Sequence, residues 1–578
     1  MGRKFEAHLP GSSERVRIEH LQFTKGEVDN WRDPHSRHQN WPVVYLLSND
    51  KEIYVGETSR ARARLRQHLD NQEKRGLTSA RIVINEEFNK SACLDLESRL
   101  ISWLHADAQY VPLNRNDGQQ NSNYFERATR YQEIFDEVFA LLHAAGVFHR
   151  TVPEIENLNL FKLSPYKALN DEQMVAVEQI VEGLFRDLGH DTKTTSVVQG
   201  GPGTGKTIVA IYLLKLLRDI QNTDQDPELD EEGRFSDFFF SGYRELIKGI
   251  QIGFVVPQQS LRKTIARVFR QTPGMGEVSV LSPYTVANSR EHWDLLVVDE
   301  THRLTFRGSG PTRRAFESRN KKLFGDSSEG RTAIDWIQAK SDHQVFLLDG
   351  EQSVRPADVP GSELKRIRNE AKSSNRFYVL ESQMRVAAGN NYLEFASQLL
   401  TGFPIRPEIP KGYDLRFFEN LADMRREVLR RNSEVGLSRL VAGYAWKWQS
   451  KGDLSDDAPY DIEIDGLRLR WNRTDQDWIA SEGSEFEVGS VHTTQGYDLN
   501  FAGVIIGPDI VWNEKTQQIE AVRESHFDRE VRSVRDPERL LELIRNAYYV
   551  LLTRGMRGTY VYVRDLPLRA RLRTLFES

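Results

Sequence analysis

Gly200-Gly201-Pro202-Gly203-Thr204-Gly205-Lys206-Thr207 follows the apolar, β-branched run Val197-Val198 and precedes the helix-like Ile208-Val209-Ala210-Ile211-Tyr212-Leu213-Leu214. That order is a strand, a phosphate loop and a helix. Gly200, Gly203 and Gly205 let the backbone curl so that successive N–H groups point at a polyphosphate, Lys206 reaches its outer phosphates, and the Thr207 hydroxyl can ligate Mg²⁺. ATP with Mg²⁺ is the expected ligand. Downstream, Trp293-Asp294-Leu295-Leu296-Val297-Val298-Asp299-Glu300 is a buried-type strand ending in two carboxylates. Asp299 is predicted to hold Mg²⁺ through water, and Glu300 to orient or deprotonate the attacking water. Charge that develops on the phosphoryl group calls for cations from a second lobe, and Arg385 and Arg554 are the candidates.

At 578 residues the chain is too long for one core, and its length suggests about three or four units. The single cysteine, Cys93, excludes an internal disulfide framework or a cysteine-based zinc site. A reducing, cytoplasmic setting is expected, with no signal-type N-terminus and no apolar run long enough for a membrane. The net charge of −6 and pI near 6.2 are not those of a small basic nucleic-acid binder. Part of that charge lies in one acidic segment, Asp219 to Glu232, within which Asp224 to Gly233 is expected to be a solvated loop, so a nucleic-acid groove elsewhere is compatible with it.

The first residues predict their own α/β domain. Val43-Val44-Tyr45-Leu46-Leu47, a turn at Asn49-Asp50 and Ile53-Tyr54-Val55 form a hairpin. A helix from Ala61 to Leu69, a strand over Ala80-Arg81-Ile82-Val83-Ile84 and an amphipathic helix from Ala92 to Leu104 follow. Another helical pattern runs from Tyr131 to Ala145, and after Leu169 strands and helices alternate, which argues for parallel sheets. The expected domains are residues 1–125, a helical linker over 126–165, a first lobe over 166–375 and a second over 376–578.

The ordered motifs resemble superfamily 1 helicases, most closely the Schlafen-type branch, over roughly Ser164 to Val563. The resemblance implies two RecA-like lobes and a residue set. In Leu169-Asn170-Asp171-Glu172-Gln173, Gln173 would read the adenine edge; Gly253-Phe254-Val255-Val256-Pro257 would lead a loop to the nucleic-acid backbone. Asp299-Glu300-Thr301-His302-Arg303 is similar to motif II, and Phe346-Leu347-Leu348-Asp349-Gly350-Glu351-Gln352 to motif III, with Gln352 as γ-phosphate sensor. Leu380-Glu381-Ser382-Gln383-Met384-Arg385 resembles motif IV, whose arginine contacts the γ-phosphate. Ser490-Val491-His492-Thr493-Thr494-Gln495-Gly496-Tyr497 resembles motif V, including Gly496, and Tyr548-Tyr549-Val550-Leu551-Leu552-Thr553-Arg554-Gly555 resembles motif VI.

In the N-terminal segment Tyr45 and Tyr54, the arginine-rich stretch with Arg64 and His68 at i+4, and Glu97 on the next helix form a set suited to phosphodiester cleavage: a base, a clamp and a single-metal ligand. Over Trp41 to Asn116 this resembles the GIY-YIG nuclease family, with Val43-Val44-Tyr45 and Tyr54-Val55-Gly56 as its signatures and Val-Val replacing Gly-Ile. The resemblance implies Tyr45 as general base, Arg64 on the pentavalent phosphate, and Glu97 on one Mg²⁺ or Mn²⁺. Tyr54 and His68 would bond the nucleophile and phosphate, and Asn114 would brace the site.

These patterns together imply a nuclease head on an ATP-driven motor acting on nucleic acid, DNA rather than RNA, in defence against foreign DNA or in repair, with partner proteins of such a system. A sensor or clamp that binds without unwinding, and an RNA-directed enzyme, are the alternatives. His302 has two open readings, coupling to the γ-phosphate or a core histidine satisfied by backbone. Trp446 and Trp448, read as sharing one face of a strand, are expected in the core rather than stacked on bases.

Overall fold

The computed structural model describes residues 16–33, 35–115, 123–190, 192–223, 233–306, 311–325, 330–349, 355–384, 389–401, 412–453, 455, 457–474, 478–494 and 497–577. Residues 224–232 of the acidic segment lie outside them, as do Arg385, Gln352 and Gly496. Contacts divide the chain into two compact units, Met1–His190 with Ile208–Gly249 and Arg267–Val278, and Asp191–Thr207 with Ile250–Ala266 and Ser279–Ser578.

In the first unit, β1 (Val16–Gln22), β2 (Val43–Ser48), β3 (Glu52–Thr58), β4 (Ser79–Asn85) and β5 (Val111–Pro112) form a sheet of order β1-β4-β2-β3-β5. The β2–β3 hairpin is antiparallel and pairs Tyr45 with Gly56. Its alternation splits the domain into two cores. Val44, Leu46, Ile53 and Val55 face one core with Leu96, Leu100 and Leu104 of the helix Lys90–Asp107. Val43, Tyr45 and Leu47 face the other with Ala61 and Leu65 of the helix Ala61–Asp70.

The segment expected as a linker is helical over Arg130–Ala144, Val152–Asn157 and Asn159–Lys162, and Tyr131, Ile134, Phe135, Val138 and Leu142 complete the first of these cores. Asn170 caps the helix Asp171–Gly189 through a reciprocal box with Gln173.

The second unit holds two parallel sheets. β6 (Thr194–Gly200), β7 (Ile252–Val255), β8 (Ser279–Leu281), β9 (Trp293–Val298), β10 (Ser341–Leu348) and β11 (Phe377–Leu380) run in the order β11-β6-β10-β9-β7-β8, with every pairing parallel. β12 (Asp414–Phe417), β13 (Ser438–Ala442), β16 (Val488–Ser490), β17 (Leu499–Ile506) and β20 (Gly555–Val563) run β12-β20-β17-β13-β16, again all parallel. Two antiparallel hairpins, β14 (Ile462–Ile464) with β15 (Leu467–Leu469) and β18 (Ile510–Asn513) with β19 (Gln518–Ala521), decorate the second sheet. Near-continuous apolar strands such as Leu499–Ile506 are fully buried, as parallel sheets covered on both faces require.

Trp446 and Trp448 lie beyond the end of β13, not within a strand, and both are half-buried against the core of this second sheet. No helix among the described residues is long and apolar enough to cross a membrane.

Candidate active sites

The phosphate loop leaves the end of β6 and enters the helix Lys206–Asn222. Gly203 and Gly205 sit at φ +79° and +81°, the left-handed region that glycine occupies without strain. The Lys206 ammonium donates to the carbonyls of Gly200 and Gly201, both at 2.8 Å, and lies 3.6 Å from Asp349 at the end of β10. The Thr207 hydroxyl donates to Asp299 Oδ2 at 2.8 Å. A strand-end carboxylate and the loop hydroxyl thus converge, which is the donor pair that fits Mg²⁺ bound partly by phosphate oxygens and water.

Asp299 is fully buried. Burial and the neighbouring Glu300 charge push its carboxyl up to about 6. Glu300, at φ +49°, resists the same upward push of burial because Arg303 and His302 hold it well below the usual carboxylate range. Arg303 Nε lies 2.8 Å and His302 Nε2 3.1 Å from Glu300 Oε2. The other ring nitrogen of His302 accepts from the Asp349 backbone N–H at 3.3 Å. His302 is therefore a buried strut joining the ends of β9 and β10, and it touches both backbone and the Glu300 carboxylate.

The segment after β11 folds over the phosphate loop, with Gln383 Nε2 donating to Pro202 O at 2.6 Å and Met384 N to Gly203 O at 2.9 Å. Arg554, at the end of the helix Pro537–Leu552, is buried and donates to Val550 O at 3.0 Å and Tyr497 O at 3.4 Å. Tyr497 Oη in turn lies 3.1 Å from Thr264 Oγ1, and Gln258 Nε2 donates to His492 O at 3.3 Å, so the segments after β7 and β16 meet. Gln173 is buried in its capping box, where its side-chain oxygen accepts from Asn170 N at 3.1 Å.

In the N-terminal domain, the Tyr45 phenol is buried and lies 2.7 Å from His68 Nε2. The Tyr45 and Tyr54 ring centroids are 6.3 Å apart, and Tyr54 meets His68 edge-on at 5.1 Å. Burial raises the Tyr45 phenol above its ordinary value, the Arg64 guanidinium counters it by charge and hydrogen bond, and Glu97 adds a smaller upward push. Arg64 is thus within hydrogen-bonding reach of the phenol, and the Glu97 carboxylate is near enough to act on it by charge. His68 is fully buried, and its ring bonds Tyr45 and Lys74. Burial first, then Lys74 and Arg64, lowers it to about 2, so it is neutral. Asn114 extends β3 with its side-chain amide, accepting from Val55 N at 3.1 Å and donating to Val55 O at 2.7 Å. Among the described residues no group of three or more His, Cys, Asp or Glu side chains is placed to hold a metal ion. Glu97 alone suits an ion that takes its other ligands from phosphate and water.

Lys74 and Asp349 belong to the two sites without having been assigned a role from sequence. Asp349 carried a signal, being the acidic residue that ends an apolar strand, whereas Lys74 carried none.

The family model described as Schlafen group 3, DNA/RNA helicase domain, matches residues 193–565, and that described as GIY-YIG catalytic domain matches residues 42–110. The chain belongs to the Schlafen group 3 DNA/RNA helicase family and carries an N-terminal GIY-YIG domain. An uncharacterized protein of Saccharomyces cerevisiae is 26% identical over 411 residues, 65% of this chain and 83% of that protein. A solved complex of arterivirus nonstructural protein 10, a helicase, with DNA is similar at 14% identity and a TM-score of 0.29, covering 68% of this chain. The chain spans 65% of the length of that viral protein.

Proposed function

We propose that this protein is an ATP-driven nucleic-acid motor whose N-terminal domain cuts phosphodiester bonds. The observation that carries the motor half is the Thr207–Asp299 contact at 2.8 Å beside Lys206, at the mouth of a phosphate loop. On ATP binding Lys206 exchanges its loop carbonyls for the outer phosphates, and backbone N–H groups of the loop take the remaining oxygens. Glu300, kept ionised by Arg303 and His302, receives a proton from the attacking water. Mg²⁺ held by Thr207 and Asp299 would neutralise charge on the phosphates. Arg554 has to leave its resting carbonyls to reach a transferring phosphoryl group, which couples hydrolysis to movement at the helix Pro537–Leu552.

In the nuclease half, Tyr45 takes the proton of the attacking water, and the adjacent Arg64 favours the phenolate that does so. A divalent ion on Glu97 would polarise the scissile phosphate. DNA is the proposed substrate, in defence or repair, and the movement driven by ATP hydrolysis feeds strand to the tethered head.

The test is ATP hydrolysis with single-stranded DNA, duplex DNA and RNA. Hydrolysis stimulated by nucleic acid and lost in both Lys206→Ala and Glu300→Gln supports the motor reading. Hydrolysis that persists in both variants contradicts it. Stimulation by RNA alone overturns the DNA preference.

A further inference from the structure

Lys74 is part of none of the motifs, yet its side chain ends against the partner of the Tyr45 phenol. It closes the 3₁₀ turn Gln72–Lys74 that follows the helix Ala61–Asp70, with its N–H on Asn71 O at 3.3 Å and its carbonyl accepting from Leu77 N at 3.1 Å. The residue is only 6% exposed. Its ammonium lies 3.0 Å from His68 Nδ1 and 3.7 Å from the centroid of the Tyr54 ring. Placement over an aromatic face favours the charged amine.

An ammonium has three protons to donate and no lone pair to offer. The ring nitrogen opposite must accept, so Nδ1 of His68 carries no proton. An imidazolium would set two cations 3.0 Å apart in a buried place, and the ring is neutral. Its one proton is therefore on Nε2, 2.7 Å from the phenol oxygen of Tyr45. The contact runs from imidazole to phenol.

We propose that Lys74 is a positioning residue of the nuclease site: by donating to Nδ1 it fixes the Nε2–H tautomer of His68, which donates to Tyr45 Oη and cannot accept the phenol's proton. The Tyr45 proton then points away from His68 and leaves to solvent water on that side before the attack, and the phenolate, which goes on to take the proton of the attacking water, is met by donors from both His68 and Arg64. Without the ammonium, the ring is free to take the opposite tautomer, with the phenol donating to Nε2 and its proton tied up there.

The inference rests on the nuclease reading of Tyr45, but its decisive readout does not. The full chain is prepared with ring-¹⁵N histidine, and the His68 signals are identified by their loss in His68→Asn. The expected wild-type pattern is a protonated Nε2 and an unprotonated Nδ1, unchanged on lowering the pH to about 5, more than a unit below the ordinary imidazole value. Lys74→Met is expected to move the ring toward the Nδ1–H tautomer, and Lys74→Arg to restore the wild-type pattern. In Mn²⁺-dependent nicking of plasmid DNA, Lys74→Met lowers kcat by about 10- to 100-fold with little change in KM, and Lys74→Arg recovers most of it. A wild-type ring protonated on Nδ1, or a Lys74→Met ring still protonated on Nε2, overturns the proposal. If the wild-type chain nicks nothing, the nuclease reading fails while the tautomer assignment is still decided by the spectra. The wild-type spectrum decides it too if Lys74→Met does not fold.

Discussion

A Cβ on Gly56 would lie 2.3 Å from the phenol oxygen of Tyr45. The two residues face each other across the hairpin, and the tyrosine ring occupies the space that any side chain at 56 would need. Gly56→Ala is accordingly expected to displace the phenol by the better part of an ångström and to lower the nicking rate by about 100-fold, while ATP hydrolysis by the motor is unchanged. His302 supports its neighbour differently, by holding Glu300 and the Asp349 amide at once. His302→Leu leaves a buried N–H without its acceptor, at a cost of about 1–3 kcal/mol, and removes the His302 contact from the Glu300 carboxylate. A fall in kcat for ATP with KM nearly constant is the expected kinetic result. At this scale the tyrosines, Arg64, Lys206 and Asp299 were legible in the sequence because their spacing along strand, loop and helix is itself the signal. Lys74 was not, since only the turn at Gln72–Lys74 brings it to His68, and a lone lysine in a polar stretch reads as solvent-facing.

The helix Lys90–Asp107 carries Glu97 and, two turns on, a buried histidine. His105 Nε2 lies 3.1 Å from Thr272 Oγ1 and its Nδ1 3.3 Å from Ser164 Oγ, so this one element ties together three stretches of the first unit. Burial, reinforced by the Lys215 charge, lowers the His105 ring to about 3. The folded pKa lies below the unfolded value of about 6.5, so both states are neutral above that value and only the unfolded state gains a proton as the pH falls toward 3. Stability is thus fully present above about pH 6.5 and declines below it, by about 1.4 kcal/mol per pH unit for this group. Denaturant melts of the full chain between pH 7 and 5 are expected to show that decline, with His105→Gln flattening it by about one proton; an equal slope in the variant would remove His105 as its source. The hairpin and the helices after it were readable from alternation and helical spacing. β1 was missed because Val16–Gln22 interleaves charged and polar residues and is buried only partly, as an edge strand is. The helix Arg130–Ala144 was seen, but an amphipathic period cannot say which core the apolar face joins, and here it completes the nuclease domain's own.

Over the whole molecule, two parallel sheets share one compact unit, and the segments that follow β7, β11 and β16 supply contacts around the phosphate loop and between the two sheets. The alternation of apolar strands with helices made both sheets legible; the resting positions of Arg554 and Gln173 were not, because each is held by backbone that only the fold supplies. One chain is proposed to couple ATP hydrolysis to phosphodiester cleavage. The most direct test of that coupling is cleavage of linear, circular and single-stranded DNA, and of RNA, in Mg²⁺ or Mn²⁺ with and without ATP, by the wild type and by Tyr45→Phe, Glu97→Ala and Lys206→Ala. Cleavage abolished in the first two variants, and responsive to ATP only while Lys206 is present, is the predicted result. Cleavage that survives Tyr45→Phe and Glu97→Ala, or that ignores ATP in the wild type, would rule out a motor-coupled nuclease in this chain.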